Sequence, residues 1–399
     1  MYLCSGMNEE TREFIRKHAL SDVRQLALQA VKMPDVDLRE ALVQIDGRQR
    51  AREKLPTWAA TEGILWPERI SLEQCSSEET AHYKAEIVAR LLSERRRMAD
   101  LTGGLGVDFS ELVRLFEWGY YVEQNGQLCE LATHNFPLLG IQNFEAISGD
   151  GIGIFDTLPC LDLIYLDPAR RDKDGRRTFA VEDCTPNIVP LMPIFLEKAE
   201  MVMVKLSPML DLKALKMAHL AEIHIVATQN EVKEILLVFL KNYNGEIKIY
   251  CKNSDEIVAF CENELGVFHT ETTVPSVGQY LYEPNAAIMK SGCFGQLSAR
   301  FPQTHKIATN SHLYVSDDFI ENFPGRKFQI STISSMNKRE LRQALSGIER
   351  ANIATRNFPM SVAELRRRLK IADGGTDFIF ATTLSDGSHR LIFCTKATK

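Results

Sequence analysis

Apolar residues recur at helical spacing through the first part of the chain. In "NEETREFIRKHALSDVRQLALQAVK" the repeating positions are Phe14, Ile15, Ala19, Val23, Leu26, Ala27 and Ala30, a pattern that predicts helix. A second helix, "DLREALVQIDGRQRAREKL", follows Pro34 and ends before Pro56. Ser77 reads as the N-cap of a third, "SSEETAHYKAEIVARLL", because an acidic first turn comes directly after it.

From about residue 96 the pattern changes. Short apolar runs now alternate with helical periods, which predicts a parallel α/β sheet. The runs "RMADL", "GYYVE", "LDLIYLD" and "MVMVKLS" read as strands, and "DFSELVRLFEW", "GQLCELATHNFPLLG" and "IVPLMPIFLEKA" as helices between them. In "EIHIVATQNEVKEILLVFL" two strand-like runs stand about four residues apart. A parallel crossover needs about a dozen residues or more, so these two must pair antiparallel as a hairpin. Beyond residue 242 come the strand-like runs "EIKIYCK" and "VFHTETTV", the loop-rich "YLYEPNAAIMKSGCFGQL" and a small α+β unit. The helix of that unit, "SVAELRRRLKI", opens on a capping box of Ser361 with Glu364 and buries Val362, Leu365 and Leu369.

The net charge of −6 becomes informative once it is divided along the chain. Residues 326–399 hold 14 Lys/Arg and 6 Asp/Glu, a balance of +8, so the first 325 residues carry −14. A basic module on an acidic body points to a polyanion partner, because clustered cations gain most by neutralising phosphates. No apolar run approaches the roughly 20 residues of a membrane span, and "MYLCSGMNEETREF" lacks the basic and apolar regions of a signal peptide. Nine cysteines without a CxxC or Cys/His pattern predict reduced thiols in a cytoplasmic protein, and the dispersed histidines predict no metal site.

The candidate chemistry gathers where strands end. The turn in "ADLTGGLGVD" follows the first strand and opens a helix, so Gly103, Gly104 and Gly106 let backbone approach a ligand closely. Asp100 ends that strand, in the spacing Asp100-x-Thr102-x-Gly104-x-Gly106. Glu123 ends the second, placed to accept hydrogen bonds from ribose hydroxyls. Asp150 sits where the third strand should end, and Asp167 closes the fourth. Such ends lie along the ligand-binding edge of an open α/β sheet, so the four carboxylates are expected in one crevice. After Asp167-Pro168, five basic residues follow within eight positions: Arg170, Arg171, Lys173, Arg176 and Arg177. At the mouth of a ligand site they would meet phosphates. In "EQCSSEE", helix capping is favoured over a nucleophile role for Cys75 or Ser76, since no base is evident nearby.

The motifs "DLTGGLG", "VEQN", "SGDG" and "LDPARR", together with the closing hairpin, resemble the class I S-adenosylmethionine-dependent methyltransferases over about residues 80–240. The resemblance implies an α/β fold with a Rossmann-like methyltransferase core. Its mostly parallel seven-stranded sheet would end in an antiparallel hairpin, flanked by a helical N-terminal segment and small α+β C-terminal modules. It also implies S-adenosyl-L-methionine as cofactor. Asp100, Thr102, Gly104 and Gly106 would surround the methionine part, and Glu123 would hold the ribose. Asp150 and Gly151 would lie beside the adenine, with Gln124 and Asn125 as second contacts. In relatives that methylate exocyclic amines of bases, the fourth strand ends in Asp/Asn-Pro-Pro-aromatic, and the acid or its neighbouring carbonyl orients the amine. Asp167 fits that acceptor role and Pro168 would fix the turn. Ala169 and Arg170 replace the second proline and the aromatic, and Arg170 would stack its guanidinium on a base instead.

The whole layout also resembles a bacterial family that joins a helical segment and a "DPARR" methyltransferase core to a C-terminal domain likened to THUMP, an RNA-binding module. The matching stretches are "LEQCSSEETAHYKA" (72–85), "YLYEPNAAIMKSG" (280–292) and "ERANIATRNFPMSVAELRRRLK" (349–370). The expected organisation is a helical domain over 1–75, the methyltransferase domain over 76–242, a small ferredoxin-like α+β linker over 243–325 and a basic THUMP-like domain over 326–399. The implied function is methylation of a base nitrogen, an exocyclic amine, in structured RNA (rRNA or tRNA). Asp167, Pro168 and Arg170 would stand at the reacting centre. The RNA would be met by Arg170, Arg171, Lys173, Arg176, Arg177, Arg356, Arg366, Arg367 and Lys370. Transfer to a protein or small molecule, and RNA binding with a degenerate cofactor pocket, stay open as alternatives.

Overall fold

The structure, a computed structural model, describes residues 7–28, 35–170, 181–212, 215, 217–261 and 272–398. The chain divides into two compact units, Met1–Ala221 with Leu236–Asn244 and Glu222–Ile235 with Gly245–Lys399.

Five strands of the first unit run parallel: β1 (Arg97–Asp100), β2 (Trp118–Glu123), β3 (Phe144–Ser148), β4 (Leu161–Leu166) and β5 (Ala199–Leu206). Every residue of β4 is buried, as its unbroken apolar run requires of a central parallel strand. The strands β6 (Leu220–Thr228) and β7 (Glu231–Leu240) form the expected hairpin. Gln229 and Asn230 at its turn have φ of 51° and 64°, the pair of positive values that lets a two-residue turn follow the strand twist. Two further strands lengthen this seven-stranded core, β8 (Lys248–Asn253) parallel to β6 and β9 (Glu256–Cys261) antiparallel to β8. The sheet order is β9-β8-β6-β7-β5-β4-β1-β2-β3. "EIKIYCK" is thus a strand as expected, but one that joins the core sheet. The strand expected over "VFHTETTV", residues 267–274, falls mostly outside the described residues.

The rest of the second unit is built on a seven-stranded sheet. Its order is His305–Lys306, Tyr314–Ser316, Tyr280–Pro284, Gly325–Ser334, His389–Lys396, Ala372–Thr383 and Arg350–Arg356. One face packs Leu281, Phe328, Phe380 and Ile392, and the other packs Leu365 and Leu369 of the helix Val362–Leu369 against Ile379 and Phe393. The predicted capping box of Ser361 and Glu364 starts that helix.

The N-terminal helices include Glu9–His18, Leu38–Lys54 and Glu78–Leu91, capped by Asn8, Asp37 and Ser77. Lys84, on the third of these, is fully buried and meets Asp108 Oδ1 at 2.9 Å. The hydroxyls of Ser76 and Tyr165 both donate to Asp108 Oδ2 at 2.7 Å, and Lys84 donates to the Ser76 hydroxyl at 3.2 Å. Helix, strand β4 and the segment after the glycine turn are therefore tied by one buried ion pair and by the hydrogen bonds to Asp108 Oδ2. Removing one partner of such a pair strands the other charge, at a cost of about 3–5 kcal/mol. Lys84→Met is expected to lower unfolding free energy by that amount, read as a fall in the urea midpoint at unchanged slope.

Candidate active site

The glycine turn joins β1 to the helix Val107–Leu112. Gly106 there has φ of 84°, and a Cβ would sit 2.5 Å from the Phe136 ring, so the position accepts only glycine. The Gly104 N–H donates to Glu123 Oε2 at 2.6 Å, and the Gly104 carbonyl accepts from the Tyr121 hydroxyl at 2.5 Å. The Asn125 N–H donates to Glu123 Oε1 at 2.7 Å. Glu123 thus clamps the turn after β1 to the end of β2. A carboxylate has about four acceptor sites, so these two bonds leave room for ligand hydroxyls.

Asp100 is buried, and it accepts from the Thr102 N–H at 2.9 Å and the Thr102 hydroxyl at 3.3 Å. Burial pushes its carboxyl well above the ordinary range. The Thr102 N–H opposes that rise, and the negative charges of Asp108, Asp167 and Glu123 add to it. Asp108, which the sequence reading passed over, belongs to the same group of acids. Burial acts to raise its carboxyl too, but Lys84, Lys205 and the Tyr165 hydroxyl outweigh burial and hold it below the usual range. The Thr102 hydroxyl also accepts the Asp167 N–H at 2.6 Å, so it bridges the ends of β1 and β4. The Asp167 carboxylate is ion-paired with Lys205, a residue of β5 that the sequence reading also missed. A lysine within the apolar "MVMVKLS" was the available signal.

The structure therefore brings Asp100, Glu123 and Asp167 together and adds Asp108, Lys84 and Lys205. Asp150 is exposed and caps the short helix Gly151–Phe155, accepting from the Gly153 N–H at 3.0 Å. Gly151 is packed so tightly against the loop after β1 that a Cβ would lie 2.1 Å from the Leu101 carbonyl oxygen. Gln124 and Asn125 are exposed, and Asn125 caps the helix Gly126–Leu138. Pro168 is buried, and Ala169–Arg170 pairs antiparallel with Cys184–Thr185. The Arg170 side chain and all of Arg171, Lys173, Arg176 and Arg177 lie outside the described residues. Within the second unit, Arg356 pairs with the buried Glu283 at 2.6 Å and Arg366 with Asp373 at 2.5 Å. Arg367 and Lys370 are exposed.

Carboxylates around a glycine turn suit a ligand with cationic centres and sugar hydroxyls and repel a pyrophosphate. The residues present fit S-adenosylmethionine, which carries an ammonium and a sulfonium at its methionine end. The raised Asp100 carboxyl also has a consequence for stability. A carboxyl whose folded value is raised favours the folded state while protonated, and that contribution is lost as pH rises from the ordinary value of 3.8 through the raised one. Asp100→Asn keeps an acceptor for the Thr102 N–H without the charge. Its melting temperature relative to the parent protein should therefore rise with pH across that window, as read by calorimetry at several pH values.

The THUMP domain-like family matches residues 325–396, and the ferredoxin-like domain family matches residues 280–324. Among solved structures, a "putative methyltransferase" from Porphyromonas gingivalis W83 is 33% identical, covers 98% of this chain and 98% of its own, and superposes with a TM-score of 0.83. An rRNA methylase from Streptococcus thermophilus is 16% identical over 40% of this chain and 95% of its own, with a TM-score of 0.31. TrmK of M. capricolum, in complex with S-adenosyl-homocysteine, is 12% identical over 40% of this chain and 68% of its own, with a TM-score of 0.30. No curated protein matches. On its near full-length likeness to the Porphyromonas protein, the chain belongs to that family, which joins a class I methyltransferase fold to a THUMP-like C-terminal domain.

Proposed function

We propose that the protein is an S-adenosyl-L-methionine-dependent methyltransferase that modifies an exocyclic amine of a base in structured RNA, either rRNA or tRNA. The observation that carries this reading is the placement of Asp167-Pro168. It ends β4 beside the glycine turn, with the Asp167 N–H on the Thr102 hydroxyl at 2.6 Å. When bound, the cofactor supplies a methyl carbon already activated by its sulfonium. The protein's part is then alignment and exclusion of water. Asp167 accepts one amine N–H and turns the nitrogen lone pair toward the methyl carbon, while Thr102 and Pro168 hold its backbone. Glu123 takes the ribose, Asp100 and the turn from Thr102 to Gly106 take the methionine end, and Asp150 with Gly151 flanks the adenine.

RNA as acceptor is supported by the C-terminal balance of +8, the THUMP-like match over residues 325–396, and the exposed Arg367 and Lys370. Arg170, Arg171, Lys173, Arg176 and Arg177 add basic charge directly after the acceptor residue. Arg356 and Arg366 contribute less in this reading, since each is already bound to an acid.

Glu123→Ala should raise the dissociation constant of S-adenosylhomocysteine about tenfold or more, because hydrogen bonds to a charged group contribute about 1.5–3 kcal/mol. Calorimetry reads it, and an unchanged affinity removes Glu123 from the site. Asp167→Asn should lower kcat by about a hundredfold while leaving that affinity nearly as it was. A parallel loss of both sinks the acceptor role. RNA binding should weaken log-linearly as salt rises. Mass spectrometry of RNA nucleosides from cells with and without the gene identifies the product, and identical profiles would count against RNA.

A further inference from the structure

Lys205 is the feature of the site that the proposed chemistry leaves unused. Strands β4 and β5 are parallel neighbours with Leu166 opposite Val204, so Asp167 and Lys205 come next on the two strands, side by side at their carboxyl ends. Their side chains are ion-paired, with Lys205 12% exposed and Asp167 38% exposed. The partly exposed carboxylate is therefore restrained from three directions. The Thr102 hydroxyl holds its backbone N–H, buried Pro168 follows it, and the Lys205 ammonium holds one carboxylate oxygen.

A carboxylate held in this way meets a base differently from a free one. The guanine edge presents two adjacent N–H groups, N1–H and N2–H, which a free carboxylate grips with both oxygens. Oδ2 already accepts from the Lys205 ammonium, so a second guanine donor on that oxygen would share it with a cation and be repelled by that charge. The edges of adenine at N6 and cytosine at N4 present one amine beside a ring nitrogen that accepts. There the amine meets a carboxylate oxygen, and the ring nitrogen's lone pair meets the positive field of the ammonium. We propose that Lys205 is a specificity-determining and positioning residue that restricts the acceptor to an exocyclic amine flanked by a ring acceptor, adenine N6 or cytosine N4, and excludes the N1–H/N2–H edge of guanine. The inference rests on the RNA methylation proposed above.

The test incubates the full-length protein with methyl-deuterated S-adenosylmethionine and total RNA from cells lacking the gene, then digests the RNA and identifies the labelled nucleoside by mass spectrometry. Label in N6-methyladenosine or N4-methylcytidine is expected. Label in a guanosine, or at a ring nitrogen or ribose oxygen, overturns this inference and leaves RNA methylation standing. No label in any RNA, with S-adenosylhomocysteine still binding, removes the RNA reading and this inference with it. Lys205→Met supplies a second readout. It should lower kcat on the labelled RNA about tenfold or more, with S-adenosylhomocysteine affinity nearly unchanged, while Lys205→Arg retains part of the rate. Equal loss of rate and cofactor affinity in Lys205→Met would make Lys205 part of the cofactor pocket and overturn its role at the acceptor.

Discussion

Charge balance at the carboxyl edge of the first sheet is the constraint on which the site depends. Asp108, Glu123 and Asp167 all add their negative charge to that of Asp100 there. Two carboxylates about 4 Å apart repel by about 4 kcal/mol at an effective dielectric constant of about 20, so such a group does not assemble unaided. The fold offsets the repulsion in three ways. Lys84 and Lys205 bring cations from a helix and a strand far away in sequence. Backbone N–H groups of Gly104, Asn125 and Thr102 point at carboxylate oxygens. Asp100, the most deeply enclosed acid without a lysine of its own, is pushed toward its neutral form. The same bonds shape the backbone: the clamp that quiets Glu123 also sets the glycine turn, and the Thr102 hydroxyl that serves Asp100 also fixes Asp167.

How much of this could be read from residues alone follows the range of each interaction. The turn, the strand ends and the hairpin are local matters of spacing, so "DLTGGLG", "LDPARR" and the short link at Gln229-Asn230 were legible. The buried lysines were not. Lys84 sits in "AHYKAEI", where a lysine usually faces water, and only its contact with Asp108 twenty-four positions on shows otherwise. Asp108 opens the helical stretch "DFSELVRLFEW", where an acid in the first turn is ordinary and points to no partner. For the C-terminal cations, the sequence yields sign and density but not partners. Arg356 is held by Glu283, 73 residues away, and a charge count cannot see that bond.

Pairing between distant strands was equally hidden. The strands Lys248–Asn253 and Glu256–Cys261 look like the start of a separate module, yet they extend the core sheet beyond β6. Tyr280–Pro284, within the ferredoxin-like match, pairs with Gly325–Ser334, at the start of the THUMP-like match, so those two stretches share a sheet. Apolar alternation marks a strand's two faces but carries no label for its neighbour, which is chosen by side-chain packing across the pair.

The missing aromatic in the "DPAR" motif is best understood through this geometry. Where the fourth strand of the base-amine methyltransferases that the motifs resemble ends in a stacking ring, this chain has Ala169 and Arg170, and Arg170 enters a short antiparallel pair with Cys184. Stacking a base on a ring and gripping its edge are alternative ways to supply alignment, and alignment is worth up to about 7–11 kcal/mol in well-oriented systems. Asp167 is tied through Thr102, Pro168 and Lys205 before any substrate arrives. In the proposed reaction, a carboxylate so fixed has little reorganisation to undergo when the amine docks, and edge recognition carries the selectivity that a ring would otherwise share.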